Sequence, residues 1–329
     1  MILAGIDVGT NTIRLLVVEI NNTNYRELYS ARTITRLGQD LDRTGLLSPE
    51  ARERSIAALD EFSGVLRRYP SVHTAVVGTS ALRNAANAGE FISAVRKATG
   101  LDIHVVDGGE EARLTLLGVA RALVKHQSER KAHPLDRALV MDIGGGSTEL
   151  IITRKGNIQS TASLPLGSVY LTERFLKSDP PAEEDLNGLR LTVRAELRSW
   201  ENIMNAAANK ALRGVELCAG TAGTITTLAA MDQKLQEYDP DRINGFLLSK
   251  ASLDGMVKEL STRALRDRRT MPGLEPGRED IILAGAVITQ EVMEHHHFST
   301  MLVSDWGLRE GIVFDLHDKL AVGTRSVIL

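Results

Sequence analysis

The sequence predicts an α/β protein made of one domain twice over, with a mixed sheet in each half. Three observations predict it. A β-rich run of three strands opens each half, strands and helices alternate after it, and an aspartate followed by a glycine turn closes the first strand both times. These turns are IDVGTNTIRLLVV at residues 6–18 and MDIGGGSTELII at 141–152.

The first half starts with ILAGIDV (2–8), IRLLVVEI (13–20) and YRELYSARTI (25–34), separated by turn-like breaks at Gly9–Thr12 and Asn21–Asn24. A helix is expected from Pro49 to Tyr69. Ser48 suits its N-cap and Pro49 its first position, and Ile56, Leu59, Phe62 and Leu66 fall on one face. Strand HTAVVG (73–78), a helix through Phe91 to Thr99 stopped by Gly100, strand LDIHVV (101–106) and a helix over Gly109–Lys125 follow. The polar stretch Lys125–Arg137 reads as a connection between domains. The order then restarts with ALVMDI (138–143), TELIIT (148–153) and IQSTASL (158–164). Helices over 168–177 and 182–207, strand GVELCAG, a helix from Thr221, further helices to His297, strand STMLVS (299–304) and a last helix from Gly307 complete it. The domains are expected at 1–125 and 126–306, with the last helix packing back on the first.

Composition narrows the function classes. Of the 329 residues 43% are hydrophobic and 25% charged, the profile of a globular protein, with no apolar run long enough to span a membrane and no secretory signal. A cytoplasmic protein without membrane partners is expected. The single cysteine, Cys218, rules out an intrachain disulfide and a multi-thiolate metal site, and its VELCAG setting is that of a buried core thiol. A formal charge of −3 and 4% aromatic residues are no footprint for DNA or RNA.

The turns carry the chemistry. A glycine-rich turn between strands lets backbone N–H groups approach an anion closely. Thr10, Thr12, Ser147 and Thr148 add hydroxyl donors beside Gly9, Asn11, Gly144, Gly145 and Gly146. A carboxylate at each strand end, Asp7 and Asp142, suits a hard cation such as Mg²⁺ held between it and a phosphate. A third glycine segment, AGTAGT (219–224), opens a helix, where phosphate binding is natural. GTSALRNA (78–85) sets Ser80 and Arg83 at a helix start, where an arginine grips phosphate through its fork. GGEEARL (108–114) puts Glu110 and Glu111 in a first helical turn, placed either for the dipole or to position an attacking water.

At these residues the chain resembles the exopolyphosphatase and guanosine pentaphosphate phosphatase family of the actin-like ATPase superfamily. DVGTNTIRL, GTSALR, GEEARL, DIGGGSTEL, GTAGT and SDWGLREG (304–311) stand in that family's order along nearly the whole chain. The resemblance implies a duplicated actin-like (ribonuclease H-like) fold with two domains facing across a cleft. It also implies hydrolysis of the terminal phosphate of inorganic polyphosphate, or of guanosine pentaphosphate (pppGpp), with Mg²⁺ or Mn²⁺ as cofactor. Phosphates would be bound by Gly9, Thr10, Asn11, Thr12 and Ser80 and by Gly144, Gly145, Gly146, Ser147 and Thr148. Arg83 would hold the reacting end and Glu111, not Glu110, would activate water; Asp142, Glu149 and Asp7 would manage the metal. Thr12 stands where members often carry serine. The sequence ends at Leu329, without the C-terminal helical domains of longer members, so shorter substrates are expected, and a homodimer is the expected assembly. A non-catalytic sensor of polyphosphate or alarmone is the reading from another class; the water-activating carboxylate argues against it. A sugar kinase shares only the looser turns.

Two further runs read as structural. His295–His297 end a helix whose upstream face (Ile281, Ile282, Ala284, Val287, Ile288) is core, where the dipole favours them without a metal. RALRDRR (263–269) reads as a solvated face, with a rim contact to a trailing phosphate chain as the alternative.

Overall fold

A computed structural model describes residues 1–21, 24–125 and 135–325, so most of the connection expected over Lys125–Arg137 lies outside the described residues. The chain divides into two compact units: Met1–Gly118 together with the segment from Gly307, and Val119–Trp306.

The first unit runs β1 (Ile2–Val8), β2 (Thr12–Asn21), β3 (Asn24–Ile34), α1 (Leu41–Thr44), α2 (Pro49–Leu66), β4 (His73–Gly78), α3 (Ser80–Asn84), α4 (Ala88–Thr99), β5 (Ile103–Val105) and α5 (Gly108–Lys125). Its sheet has the order β3-β2-β1-β4-β5, antiparallel through β1 to β3 and parallel from β1 to β5. β1 is central and its side chains are buried from Leu3 onward on both faces, which is why it reads as a nearly unbroken apolar run. One face packs Ala4, Ile6 and Val8 with Leu59 and Phe62 of α2 and Phe91 and Val95 of α4. The expected caps are present: Ser48 Oγ accepts from the Ala51 N–H at 3.2 Å, and Gly100 ends α4 at φ 76°.

The second unit runs β6 (Ala138–Ile143), β7 (Thr148–Arg154), β8 (Asn157–Leu164), α6 (Ser168–Phe175), α7 (Glu183–Ile203), α8 (Ala206–Arg213), β9 (Leu217–Thr221), α9 (Ala222–Asp232), α10 (Pro240–Ile243), β10 (Leu247–Ser249), α11 (Lys250–Thr262), α12 (Leu265–Arg268), α13 (Ile282–His295) and β11 (Thr300–Val303). Its sheet order, β10-β11-β9-β6-β7-β8, is that of the first unit read from the other edge with one strand added. The fold is thus the duplicated actin-like, ribonuclease H-like arrangement. α13 is buried along nearly all of Ile282–Met293, packed with α7, α9 and α11 over the sheet, and reaches the surface only at Gln290 and its C-terminal end.

The last helix, α14 (Leu308–Arg325), belongs to the first unit. It packs so tightly that a Cβ on Gly5 would come within 2.9 Å of Val313 Cγ2, and one on Gly311 within 1.8 Å of the Leu114 carbonyl oxygen. Arg113 of α5 clasps Asp315 of α14 at 2.6 Å.

Two expectations differ from the structure. The helix expected over 182–207 breaks at Met204, where the chain turns extended (ψ 140°) and the Asn205 side chain caps α8 by accepting from the Ala208 N–H. Within the span expected to be helical lies β10, three residues with no periodicity of their own, which exist as a strand because β11 pairs with them.

Candidate active site

In the first unit the glycine loop connects β1 to β2. The Gly9 N–H donates to the Thr12 carbonyl at 3.1 Å, folding residues 9–12 into a tight loop, and Asp7, Thr10, Asn11 and Thr12 are all buried. The segment after β3 grips the back of this loop. Gly38 N–H donates to the Thr10 carbonyl at 2.9 Å, and the N–H groups of Thr35 and Arg36 donate to the Asn11 carbonyl at 3.0 and 2.9 Å. In a trans peptide C=O and N–H point opposite ways, so turning the Thr10 carbonyl toward Gly38 aims the Asn11 N–H away from it.

The second unit repeats the device. Gly144 N–H donates to the Ser147 carbonyl at 2.9 Å. Here the start of α6 does the gripping: Ser168 N–H donates to the Gly144 carbonyl at 3.0 Å, and Val169 and Tyr170 N–H groups to the Gly145 carbonyl at 2.9 and 3.1 Å. The N–H groups of Gly145 and Gly146 therefore face the opposite way, as an anion-binding turn requires. Gly167 makes this possible, since a Cβ there would lie 2.1 Å from the Gly145 carbonyl oxygen. Both hydroxyls of this loop donate inward: Ser147 Oγ to Glu149 Oε1 at 2.9 Å, and Thr148 Oγ1 to the Leu166 carbonyl at 2.5 Å. Toward an anion the loop thus offers backbone N–H groups in the first place.

Arg83 and Glu111 meet within the first unit. Arg83, in the five-residue helix α3 that also holds the buried Ser80, donates through Nη1 to Glu111 Oε2 at 2.6 Å and to the Val106 carbonyl at 2.9 Å. Glu111 is 6% exposed. It is set in the first turn of α5 by Asp107, whose carboxylate caps the helix by accepting from the Glu110 N–H at 2.8 Å. Glu110 turns elsewhere, into an ion pair with Arg113 at 2.7 Å, whose guanidinium holds the Glu110 carboxyl below the usual carboxylate range.

Asp142 and Glu149 are directly opposed across β6 and β7 and both are buried, at 7% and 1% exposure. Opposed residues of an antiparallel pair share a face with Cβ atoms about 4.5–5.5 Å apart, where like charges repel. Glu149 Oε1 also accepts from Ser163 Oγ at 2.7 Å, which fixes its orientation. A buried pair of hard oxygen donors on one face fits Mg²⁺ or Mn²⁺ by donor chemistry. Asp7 of the first unit is opposed instead by Arg14.

At the third glycine segment, Ala222 takes a left-handed φ of 71° to start α9, and the Arg278 guanidinium lies against Gly223, where a Cβ would come within 2.1 Å of Nη2. Arg278 is buried and paired with Glu275 at 2.5 Å. Nothing in MPGLEPGRED (271–280) marks which segment it covers. Gly38 and Gly167 were likewise passed over, although LG at 37–38 and at 166–167, each after the third strand of its half, is a repeat signal that would have found them. The basic run is not one solvated face: Arg268 is buried, donating to the Leu260 carbonyl at 3.0 Å, while Arg263 and Arg269 pair with Glu259 and Glu279. Cys218 is buried, and burial pushes its thiol up to about 12, as an inert core residue. No helix among the described residues is long and apolar enough to cross a membrane.

Comparison with known proteins gives concordant matches. The model of the Ppx/GppA phosphatase family matches residues 16–320. Exopolyphosphatase 2 of Mycobacterium tuberculosis is 30% identical over 326 residues, covering 95% of this chain and 98% of that protein. Among solved structures, the Ppx/GppA family member of Aquifex aeolicus superposes with a TM-score of 0.78 at 30% identity, over 97% of this chain and 98% of its own. An exopolyphosphatase from Cytophaga hutchinsonii superposes with a TM-score of 0.85 at 28% identity, over the same shares of each chain.

Proposed function

This chain belongs to the Ppx/GppA phosphatase family, and on that premise we propose that it is an exopolyphosphatase, removing the terminal phosphate of inorganic polyphosphate by in-line attack of water. The observation that carries the reading is the Arg83–Glu111 pair: a buried carboxylate bound to a guanidinium that is itself anchored on the Val106 carbonyl. A pure phosphate-binding site has no use for a carboxylate, which repels its ligand; a hydrolase needs one to orient water. The exopolyphosphatases among the relatives favour polyphosphate as the substrate.

In this reading Gly9, Thr10, Asn11, Thr12 and Ser80, and in the other unit Gly144, Gly145, Gly146, Ser147 and Thr148, bind phosphate oxygens, chiefly through backbone N–H groups. Asp142 and Glu149 would hold Mg²⁺, or Mn²⁺, which would supply positive charge against phosphate oxygens; Asp7 is the corresponding carboxylate of the first unit. Glu111 accepts a hydrogen bond from the water and directs its lone pair at phosphorus. As the new P–O bond forms, the bond from phosphorus to the bridging oxygen breaks, the shortened chain leaves with that electron pair, and the water's proton passes to Glu111. Arg83 offsets the charge of the transferring group. Such catalysis is mostly positioning and electrostatics and needs no covalent enzyme intermediate.

The test is phosphate release in Mg²⁺ from long polyphosphate, short polyphosphate and guanosine pentaphosphate in parallel, for wild type and Glu111→Gln. Release from polyphosphate that falls by about 100-fold or more in the variant supports the reading, being the scale of a general base and its orienting effect. Preference for the pentaphosphate would move the protein to alarmone hydrolysis. Binding without release from any of the three would leave a sensor.

A further inference from the structure

The second unit carries a second cluster of metal-ligating groups, away from its glycine loop in sequence and built from two helix ends. Glu201 stands in the last turn of α7, His295 is the last residue of α13 and His296 is its C-cap. His295 Nε2 lies 3.1 Å from Glu201 Oε2, and His296 Nδ1 lies 3.7 Å from Glu201 Oε1. One donor atom from each residue falls within 4.8 Å of the other two. Ligands of a tetrahedral zinc ion with bonds of about 2.0–2.1 Å are separated by roughly 3.3 Å, so rotations of the two partly exposed side chains, His295 and Glu201, suffice to close the set.

The surroundings hold these groups for the purpose. The His296 ring is walled edge-on by the buried Trp200 and flanked by Phe298, with ring centroids 6.2 Å away in both cases. It meets the His295 ring edge-on at 4.8 Å. Its Nε2 is buried without a hydrogen-bond partner. At 3.7 Å its Nδ1 stands beyond hydrogen-bond distance of Glu201 Oε1, so direct pairing does not account for its position. Two helix C-termini also converge here, and the partial negative charge of each favours a cation.

We propose that Glu201, His295 and His296 form a binding site for a divalent transition metal of the imidazole-preferring class, with Zn²⁺ as the representative ion and solvent completing its coordination. Two imidazoles and one carboxylate select Zn²⁺ over the hard, oxygen-seeking Mg²⁺, so this site and the Asp142–Glu149 carboxylates discriminate between metals. The ion would clamp α7 to α13, the helix enclosed at the centre of the second unit's core.

The test is Zn²⁺ binding by equilibrium dialysis on untagged full-length protein in millimolar Mg²⁺, for wild type, His295→Ala and Glu201→Gln, with circular dichroism to verify folding. Expected is about one Zn²⁺ per chain that Mg²⁺ does not displace, weakened in each variant by more than about 10-fold, the least that loss of a merely supporting partner costs. Co²⁺ substitution of the wild type gives a reading that needs no variant: strong visible bands of a four-coordinate site are expected. Zn²⁺ retained equally by both variants, no Zn²⁺ retained in Mg²⁺, or only the weak bands of octahedral Co²⁺ would overturn the proposal.

Discussion

At equivalent places in the two sheets, Asp7 is opposed by Arg14 across β1 and β2, whereas Asp142 is opposed by Glu149 across β6 and β7. The loops that follow are built alike: each closes on itself with an N–H from its first glycine, and each has its carbonyls turned to the rear by a later segment. What differs is the charge at the root. In the first unit the acid stands opposite a basic residue; in the second two buried carboxylates share a face, an arrangement that an opposite charge from outside would relieve. The two loops share one backbone device, and the pair of carboxylates at the root of the second fits a hard cation better than the acid–base pair at the root of the first.

The sharpest test of that contrast compares Asp142→Asn with Asp7→Asn. Loss of Asp142 is expected to weaken Mg²⁺ activation of phosphate release by about 100-fold or more, beyond what loss of a supporting partner costs, and loss of Asp7 by less. Metal-free melts should differ in sign: Asp142→Asn removes repulsion and stabilises by about 0.5 kcal/mol, while Asp7→Asn removes the opposite charge across the strands from Arg14 and destabilises. Equal effects of the two in both assays would break the comparison.

A second pair tests how the loops are held. A Cβ at Gly167 would press on the Gly145 carbonyl, which is backbone, whereas one at Gly38 would press on Thr10 Cγ2, which is the tip of a side chain. Gly167→Ala is therefore expected to cost about 3 kcal/mol in chemical denaturation and Gly38→Ala about 1 kcal/mol, the upper and lower ends of overpacking. The Gly167 change should also reduce phosphate affinity, because the amides of Gly145 and Gly146 would no longer be aimed.

Acid should act on the second unit through His296. Burial, then His295, hold the His296 imidazole down at about 4 in the folded chain, against an ordinary value of 6.5. Between these values the unfolded chain binds the proton that the folded chain refuses, so stability falls as pH drops from 6.5 toward 4, by at most about 2–3 kcal/mol. His73 and His104 of the first unit are exposed and its His317 half-buried, so none of them is enclosed as His296 is. Melting midpoints of wild type and His296→Phe from pH 7 to pH 4 give the check: the variant should lose the steeper part of the decline, and parallel curves would remove His296 as its cause.

Much of this molecule was legible in one dimension. The alternation of strand and helix periods, the repeat of the aspartate–glycine turn, the Ser48 cap and the Gly100 stop rest on residues within a few positions of one another, and local backbone preferences act over that range. The chemistry of Glu111 was narrowed by GEEAR, but which acid meets Arg83 was decided by the fold, which gives Glu110 to Arg113 instead. Other features depend on partners far along the chain. β10 is a strand only because β11 lies beside it, Arg278 covers Gly223 from a loop after α12, and Gly167 matters only because α6 folds back on Gly145. Glu201 and His295 are separated by half of the second unit's described helices and strands before they meet at 3.1 Å. The sequence by itself determined which residue types stand at each turn and which faces are apolar, because those are properties of neighbouring residues. Which charge opposes which, and which histidine finds a carboxylate, only the tertiary structure decided, because packing brings together groups that no local rule connects.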